Sequence, residues 1–149
     1  MMDETMLARP VWHALSTLQA AHARGGADAL RFPPEIGPLA AMRGANAAGL
    51  SALAALAAPG DVLAMIEQDI AAFPKGMILE RQSAAVQMIA DTAPAPVDDP
   101  AVRPLGEADA PDMRALAALT EPGPFAARTH VLGRFWGVRE AGRLIAMAG

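Results

Sequence analysis

The stretch GRFWGVREAGRLIAMAG, residues 133–149, decides the fold. It holds two runs rich in apolar residues, 134–139 and 143–148, separated by Glu140, Ala141 and Gly142. A three-residue connection that ends in glycine is typical of a β-hairpin, because the last loop position needs a left-handed backbone. The sequence therefore predicts two antiparallel strands in this stretch.

The residues before this hairpin predict a strand followed by two helices. Val102 to Leu105 form a short β-type run, and Asp109 is a good N-cap for the helix that comes next. The helix is broken by the segment 121–125, which contains two prolines, and a brief second helix is expected near residues 128–132. The apolar stripe of the first helix consists of Met113, Leu116 and Leu119.

The N-terminal two thirds alternate in the same way between helix and strand patterns. Helices are predicted from Pro10 to about Ala23, from the N-cap Asn46 to Ala58, and from Ser83 to about Asp91. Short apolar runs at residues 29–32, 62–66 and 77–81 predict strands. The segment 92–100 contains three prolines and predicts a stiff linker. We therefore expect an α/β protein with two small mixed-sheet units, residues 1–97 and 98–149.

The composition excludes several classes of protein. The 149 residues include no cysteine, which excludes a disulfide scaffold, a thiolate metal site and a cysteine nucleophile. The net charge is −4 and Lys75 is the only lysine, so nucleic acid is not expected as a partner. The most apolar run, at residues 50–59, is far shorter than the roughly 20 residues that span a bilayer. These features predict a soluble cytoplasmic protein with no membrane partner.

Few residues are candidates for chemistry. His13 and His22 are nine positions apart on a predicted helix and face opposite ways, so no metal site is expected. Residues 44–51 imitate a phosphate-binding loop, but Leu50 stands where the lysine belongs. The segment 120–130 collects an aromatic residue, an arginine, a threonine and a histidine between two helices. It is either an ordinary turn with Phe125 in the core or one wall of a substrate pocket.

Residues 102–149 resemble the opening of a GNAT-superfamily N-acetyltransferase domain. The resemblance rests on residues 103–113, as first strand entering first helix, and on 133–149, as the hairpin of the second and third strands. With the preceding region, the chain is most similar to bacterial members that carry an extra N-terminal α/β segment. The resemblance implies transfer of an acetyl group from acetyl-CoA to a small-molecule or peptide amine. It also implies that the amine pocket is lined by Phe125, Arg128, Thr129 and His130, and it identifies no catalytic base.

The resemblance also implies what these residues lack. In the family, the acetyl-CoA pyrophosphate binds a Q/R-x-x-G-x-G/A loop after the fourth strand, and the sequence stops before that strand. Arg139 to Gly142 begin a similar pattern but continue directly into a strand. We therefore expect a domain truncated before its acetyl-CoA motif, which alone neither binds acetyl-CoA nor catalyses transfer.

Two alternatives remain open at this stage. One is a non-catalytic interaction module that pairs through its exposed C-terminal strand, with a partner or as a homodimer. The other is an unrelated small α/β ligand-binding domain.

Overall fold

The computed structural model describes residues 4–69, 72–90, 92–93, 95 and 98–149. These residues form two compact units, one from Met1–Pro33 and Pro38–Met88, the other from Pro34–Gly37 and Ile89–Gly149. The sequence placed the boundary at residues 97 and 98. Part of the predicted linker, residues 94, 96 and 97, lies outside the described residues.

The described residues of the first unit form three α-helices and a small antiparallel sheet. The sheet consists of β1 (Arg24–Gly25), β2 (Ala29–Arg31) and β3 (Ala40–Met42) in that order, and β2 pairs with both neighbours. One cluster of the core consists of small and medium side chains, Ala29, Ala40, Met42 and Leu53, which are buried together. The elements are α1 (Glu4–Ala8), α2 (Pro10–Ser16), β1 (Arg24–Gly25), β2 (Ala29–Arg31), β3 (Ala40–Met42) and α3 (Ala47–Ala55).

The predicted helix start at Asn46 is confirmed by its cap. The Asn46 side chain accepts a hydrogen bond from the Gly49 backbone N–H at 3.0 Å, which satisfies one of the unpaired donors of the first turn. The helix ends at Ala55, three residues before the predicted position. The segment that follows is closed by Asp61, whose carboxylate accepts from the Ala58 N–H at 3.1 Å.

The helix predicted from Pro10 to about Ala23 is shorter than expected. It ends at Ser16, and only a single 3-10 turn, Ala20–His22, follows. Ser16 donates its hydroxyl to the Trp12 carbonyl at 2.7 Å, and Thr17 donates its hydroxyl to the His13 carbonyl. Hydroxyls that bond the preceding turn compete with the backbone and favour an end to the helix.

The strand predicted at residues 62–66 and the elements predicted at 77–91 are wrong. Of the first, only one parallel bridge forms, between Leu39 and Ala64. Residues 77–81 are not a strand, and residues 83–90 are not a helix; Asp91 lies outside the described residues. A short run of the right composition does not become regular structure without a neighbouring strand or surface to complete it.

In the second unit, the part of the chain that the structure describes forms one α-helix and a second antiparallel sheet. The sheet has the order β4-β5-β6, in which β4 (Val102–Leu105) and β6 (Arg143–Ala148) flank β5 (Phe135–Glu140). The helix α4 (Ala110–Thr120) packs on β6 and buries Met113, Ala117 and Leu144. Short 3-10 helices occupy Glu107–Asp109 and Thr129–Leu132. The predicted α/β class and hairpin are confirmed, and each sheet is antiparallel.

The hairpin connection differs from the prediction by one residue. Glu140 pairs with Arg143, so the loop has two residues, Ala141 and Gly142. Both have positive φ, 49° and 81°, which is the requirement of a type I′ turn. The predicted left-handed glycine is therefore present, and Ala141 before it also has a left-handed backbone conformation. Among the described residues, no helix is long and apolar enough to cross a membrane.

Candidate functional site

The loop between α4 and the 3-10 helix Thr129–Leu132 begins with a sharp reversal of the chain. Glu121 has the left-handed φ of 47°, and its N–H donates to the Ala117 carbonyl at 2.8 Å. Gly123, with φ of 144°, lies between the two prolines. This backbone ends the helix and turns the following residues back along the second unit.

Thr129 and Arg128 fix the far end of the loop to the segment Pro34–Gly37. The Thr129 hydroxyl donates to the Ile36 carbonyl at 2.6 Å and accepts from the Ala126 N–H at 2.7 Å. The Arg128 backbone N–H donates to the Glu35 carbonyl at 2.7 Å. Two of these hydrogen bonds join residues 93 positions apart and the third closes the loop on itself, so the loop has a defined shape.

Phe125 is half-buried and packs on the first residue of β5. Its ring meets that of Phe135 edge to face, with centroids 5.9 Å apart and planes at 82°. Such aromatic pairs contribute about 0.5–1.5 kcal/mol beyond the area they bury. This contact anchors the middle of the loop to the sheet.

His130 is paired with a carboxylate and nearly enclosed. Its side chain is 8% exposed, and Nε2 lies 2.6 Å from Oε2 of Glu107, a residue that is largely exposed. An ionised carboxylate only accepts, so Nε2 carries the proton of this hydrogen bond. The other ring nitrogen, Nδ1, is buried and has no hydrogen-bond partner among the described residues. The pair thus engages one ring nitrogen and leaves the other without a partner among the described residues.

The four residues predicted for an amine pocket lie together on this loop and the turn after it. They differ in their contacts with the rest of the second unit. Phe125 and Thr129 are held by contacts within the second unit, as described above, whereas the Arg128 side chain is exposed. Sequence reasoning missed Glu107. It lies 23 positions from His130, and no spacing rule links a residue of the β4–α4 connection to that loop.

A second polar cluster joins the hairpin to the start of α4. Arg139 donates to Asp109 at 2.6 Å, to Asp112 at 2.7 Å and to the Gly142 carbonyl at 2.9 Å. Asp109 also accepts the Gly106 N–H at 2.9 Å, so it closes the turn before α4 and does not cap the helix with its side chain as predicted. The Gly106 N–H and then Arg139 hold the pKa of Asp109 below its usual value.

The carboxylates of this cluster determine whether the start of α4 could bind a pyrophosphate. The Q/R-x-x-G-x-G/A pattern does occur in the chain, at residues 103–108, between β4 and α4. However, Glu107, Asp109 and Asp112 place three carboxylates at this helix end, and Asp109 occupies the Gly106 N–H. A pyrophosphate needs free N–H donors and no neighbouring negative charge. The residues present therefore do not fit a pyrophosphate cradle, despite the matching letters.

The Asp109 carboxylate is expected to make the second unit sensitive to acid. Its pKa is lowered on folding, so its contribution to stability is complete above its unfolded pKa and is lost as pH falls through the lower folded value. Melting temperatures measured between pH 7 and pH 2 should therefore fall at the acid end. The Asp109→Asn variant should show a smaller drop, and equal drops in the two proteins would contradict this assignment.

A shallow cleft in the first unit is lined by Arg9 and Glu67, which form an ion pair with each other. Arg9 donates from Nε to Glu67 at 2.9 Å and also bonds the carbonyls of Met42 and Arg43. The hydrogen bond to Glu67 raises the pKa of Arg9. The one cation among the described lining residues, the Arg9 guanidinium, is therefore already paired within the chain. Among the described residues, no group of three or more His, Asp or Glu side chains could hold a metal ion.

Comparison with known proteins finds a similar solved structure. No protein-family model and no curated protein matches the chain. A crystal structure from Novosphingobium aromaticivorans DSM 12444, named "Putative Acetyltransferase from the GNAT family", is 38% identical to it with a TM-score of 0.82. The match covers 96% of this chain and 63% of that chain.

Proposed function

We propose that this chain, which belongs to the GNAT family over the residues it shares with the Novosphingobium protein, contributes the amine-binding part of an N-acetyltransferase. The reaction is transfer of an acetyl group from acetyl-CoA to an amine. The single observation that carries the proposal is this match, since it combines sequence identity with a shared fold over 96% of the chain. The chain spans 63% of that relative, so the activity of a whole enzyme is proposed and not observed.

The loop that holds Phe125, Arg128, Thr129 and His130 is the proposed acceptor side. Phe125 and Thr129 set the shape of the loop through the aromatic contact and the two hydroxyl hydrogen bonds. Arg128 and His130 are then the residues proposed to contact the substrate. An amine attacks a thioester only in its neutral form, so a nitrogen lone pair near the acceptor would assist loss of its proton. We assign this role to Nδ1 of His130, which is buried and has no hydrogen-bond partner among the described residues.

The donor side is proposed to lie outside these residues. Acetyl-CoA supplies the acetyl group when it is bound, but the helix start at residues 106–110 is occupied by carboxylates and does not fit its pyrophosphate. The proposal therefore assigns pyrophosphate binding to the part of such an enzyme that this chain does not span. The absence of cysteine from the sequence supports a further proposal, a cytoplasmic location.

The test is titration of the 149-residue chain with acetyl-CoA in a calorimeter. Because the described helix start at residues 106–110 does not fit a pyrophosphate, no binding stronger than a Kd of about 1 mM is expected. The control is the complete Novosphingobium protein, which should bind. A micromolar Kd for the 149-residue chain would show that these residues hold a donor site of their own and would overturn the division into acceptor and donor parts.

A second candidate function is favoured by the edge of the second sheet. Among the described residues, β6 pairs with β5 alone, and its Ile145 is 41% exposed. An open apolar edge can add a strand from a partner or a second copy. Size-exclusion chromatography over a range of concentrations distinguishes this non-catalytic role, since a homodimer through the edge would elute earlier as concentration rises.

A further inference from the structure

The segment Pro34–Gly37 comes from the N-terminal half of the sequence but belongs to the second unit. It meets the loop of the proposed acceptor side at two backbone carbonyls. The Glu35 carbonyl accepts from the Arg128 N–H at 2.7 Å, and the Ile36 carbonyl accepts from the Thr129 hydroxyl at 2.6 Å. Ile36 is only 2% exposed, so the loop is attached to a residue of the core. The segment is therefore part of the framework of a loop that lies far away in the sequence.

The Thr129 hydroxyl uses both of its hydrogen-bonding functions within the unit. It donates to the Ile36 carbonyl and accepts the Ala126 N–H at 2.7 Å. A hydroxyl has a single proton to donate, so the donation to Ile36 leaves its lone pairs to accept from Ala126. One oxygen atom thus links the middle of the loop to the remote segment.

Thr129 also lies between Arg128 and His130, the two residues proposed to contact the amine. It begins a 3-10 helix whose first turn is closed by the Val131 N–H, which donates to the Arg128 carbonyl at 3.1 Å. On the other side of this turn, Nε2 of His130 lies 2.6 Å from the Glu107 carboxylate. Because the residues of a closed turn share one short backbone, the hydroxyl of Thr129 determines where the His130 ring lies relative to Glu107.

We infer that Thr129 is a positioning residue: its hydroxyl, held by the Ile36 carbonyl, orients the His130 ring towards Glu107 and towards an amine on the acceptor side. The segment Pro34–Gly37 thereby takes part in amine recognition through its backbone alone. Groups that act on a substrate must be held within a fraction of an ångström by the residues around them. The role towards the amine rests on the proposed function, whereas the orientation of the ring does not.

The first experiment records the ring nitrogen resonances of His130 in the 149-residue chain by NMR, at an alkaline pH where an imidazole is neutral. In the unchanged chain, the bond to Glu107 should hold the ring in the single tautomer that carries its proton on Nε2. Thr129→Val keeps the shape of the side chain but removes the hydroxyl, so both tautomers should appear. Thr129→Ser restores the hydroxyl and should restore the single tautomer.

Thr120→Val is the matched control. The Thr120 hydroxyl also donates to a carbonyl of the second unit, that of Leu116 at 2.9 Å, but this bond stays within α4. The substitution should leave the His130 ring unchanged. A single tautomer in Thr129→Val, or the same loss of it in Thr120→Val, would show that the Thr129 hydroxyl does not orient the ring and would overturn the inference.

Hydrogen exchange tests the attachment in the unchanged chain and does not depend on the folding of a variant. The amides of Ala126 and Arg128 are hydrogen-bonded, whereas the amide of Ala127 between them has no partner among the described residues. The two bonded amides should exchange at least about tenfold more slowly than that of Ala127. Equal rates for the three amides would show that the loop is not attached in this way and would overturn the inference.

Titration with ethylammonium chloride, with potassium chloride as the salt control, measures the role towards the amine. The His130 ring resonances should respond in the unchanged chain and in Thr129→Ser, with an affinity at least about fivefold weaker in Thr129→Val. Equal affinity in Thr129→Val would overturn the role of Thr129 in amine recognition. If no form responds to ethylammonium, the proposed function fails at this site, while the tautomers of His130 still decide whether Thr129 orients the ring.

Discussion

Replacement of Arg31 by methionine is expected to lower the free energy of unfolding of the first unit by about 2–4 kcal/mol. Arg31 is only 6% exposed although it is charged. Its guanidinium donates to the carbonyls of Phe32 at 3.1 Å and Leu56 at 2.8 Å, and to the Asp61 carboxylate at 2.6 Å. Methionine fills much of the same space but leaves these acceptors without a donor, and unpaired acceptors that are removed from water cost about 1–3 kcal/mol each.

The matched control for Arg31 is an exposed arginine of the same unit. Arg43→Met removes an exposed side chain and should change stability by less than about 0.5 kcal/mol. Urea unfolding of the two variants measures the difference. If the Arg31→Met variant is as stable as the Arg43→Met variant, the buried guanidinium does not join β2 to the segment after α3.

Asp61 gives an independent check on the same contact. Its pKa is lowered, first by the hydrogen bond from Arg31 and then by the Ala58 N–H. The pair therefore adds fully to the free energy of unfolding above the pKa that Asp61 has in the unfolded chain. This contribution is lost as the pH falls through the lower pKa that Asp61 has in the folded state. In Arg31→Met, the acid-induced loss of stability should be smaller.

Replacement of His130 by alanine is expected to raise the KM for the amine by about 10- to 100-fold in an enzyme that contains both acceptor and donor parts. The ring is held by Glu107, and its Nδ1 has no described partner. If Nδ1 accepts a hydrogen bond from the amine, its loss removes an interaction worth about 1.5–3 kcal/mol when one partner is charged.

Two conservative variants distinguish substrate contact from a structural role. His130→Asn keeps a polar group near the position of Nδ1, and His130→Gln keeps one near Nε2 and Glu107. Asparagine should preserve more of the amine affinity, whereas glutamine should preserve more of the thermal stability. Glu107 acts as a positioning residue, and Glu107→Gln should raise the KM less than His130→Ala does. Equal KM values for all four variants would remove His130 from the proposed acceptor site.

The elements that the sequence predicted correctly are those that depend on neighbours in the chain. The hairpin at residues 135–148 and the cap of Asn46 are settled by contacts within a few residues. The runs at 62–66, 77–81 and 83–91 had suitable composition, but a strand needs a second strand and a short amphipathic helix needs a surface. Such partners cannot be deduced from the run itself, which explains why these predictions were wrong.

The amine-pocket role of residues 125–130 stays a prediction, and only the shape of their loop can be compared with the sequence. The loop at residues 120–130 was recognised because it concentrates several polar and aromatic residues between two helix signals. Its attachment to Ile36 and the pairing of His130 with Glu107 depend on residues 93 and 23 positions away. The buried charge of Arg31 was missed for a similar reason, since a lone arginine in a short strand is usually solvated.

The most direct test of the central claim is acetyl transfer by the chain joined to the part of the Novosphingobium protein that it does not span. Release of free CoA from acetyl-CoA is measured with a panel of small amines and amine-bearing peptides. The account predicts amine-dependent release by the joined protein and none by the 149-residue chain. It also predicts that the Novosphingobium protein loses activity when it is shortened to the shared region. Release of CoA by the 149-residue chain alone, or a folded joined protein that binds acetyl-CoA and acetylates no amine, would contradict the account.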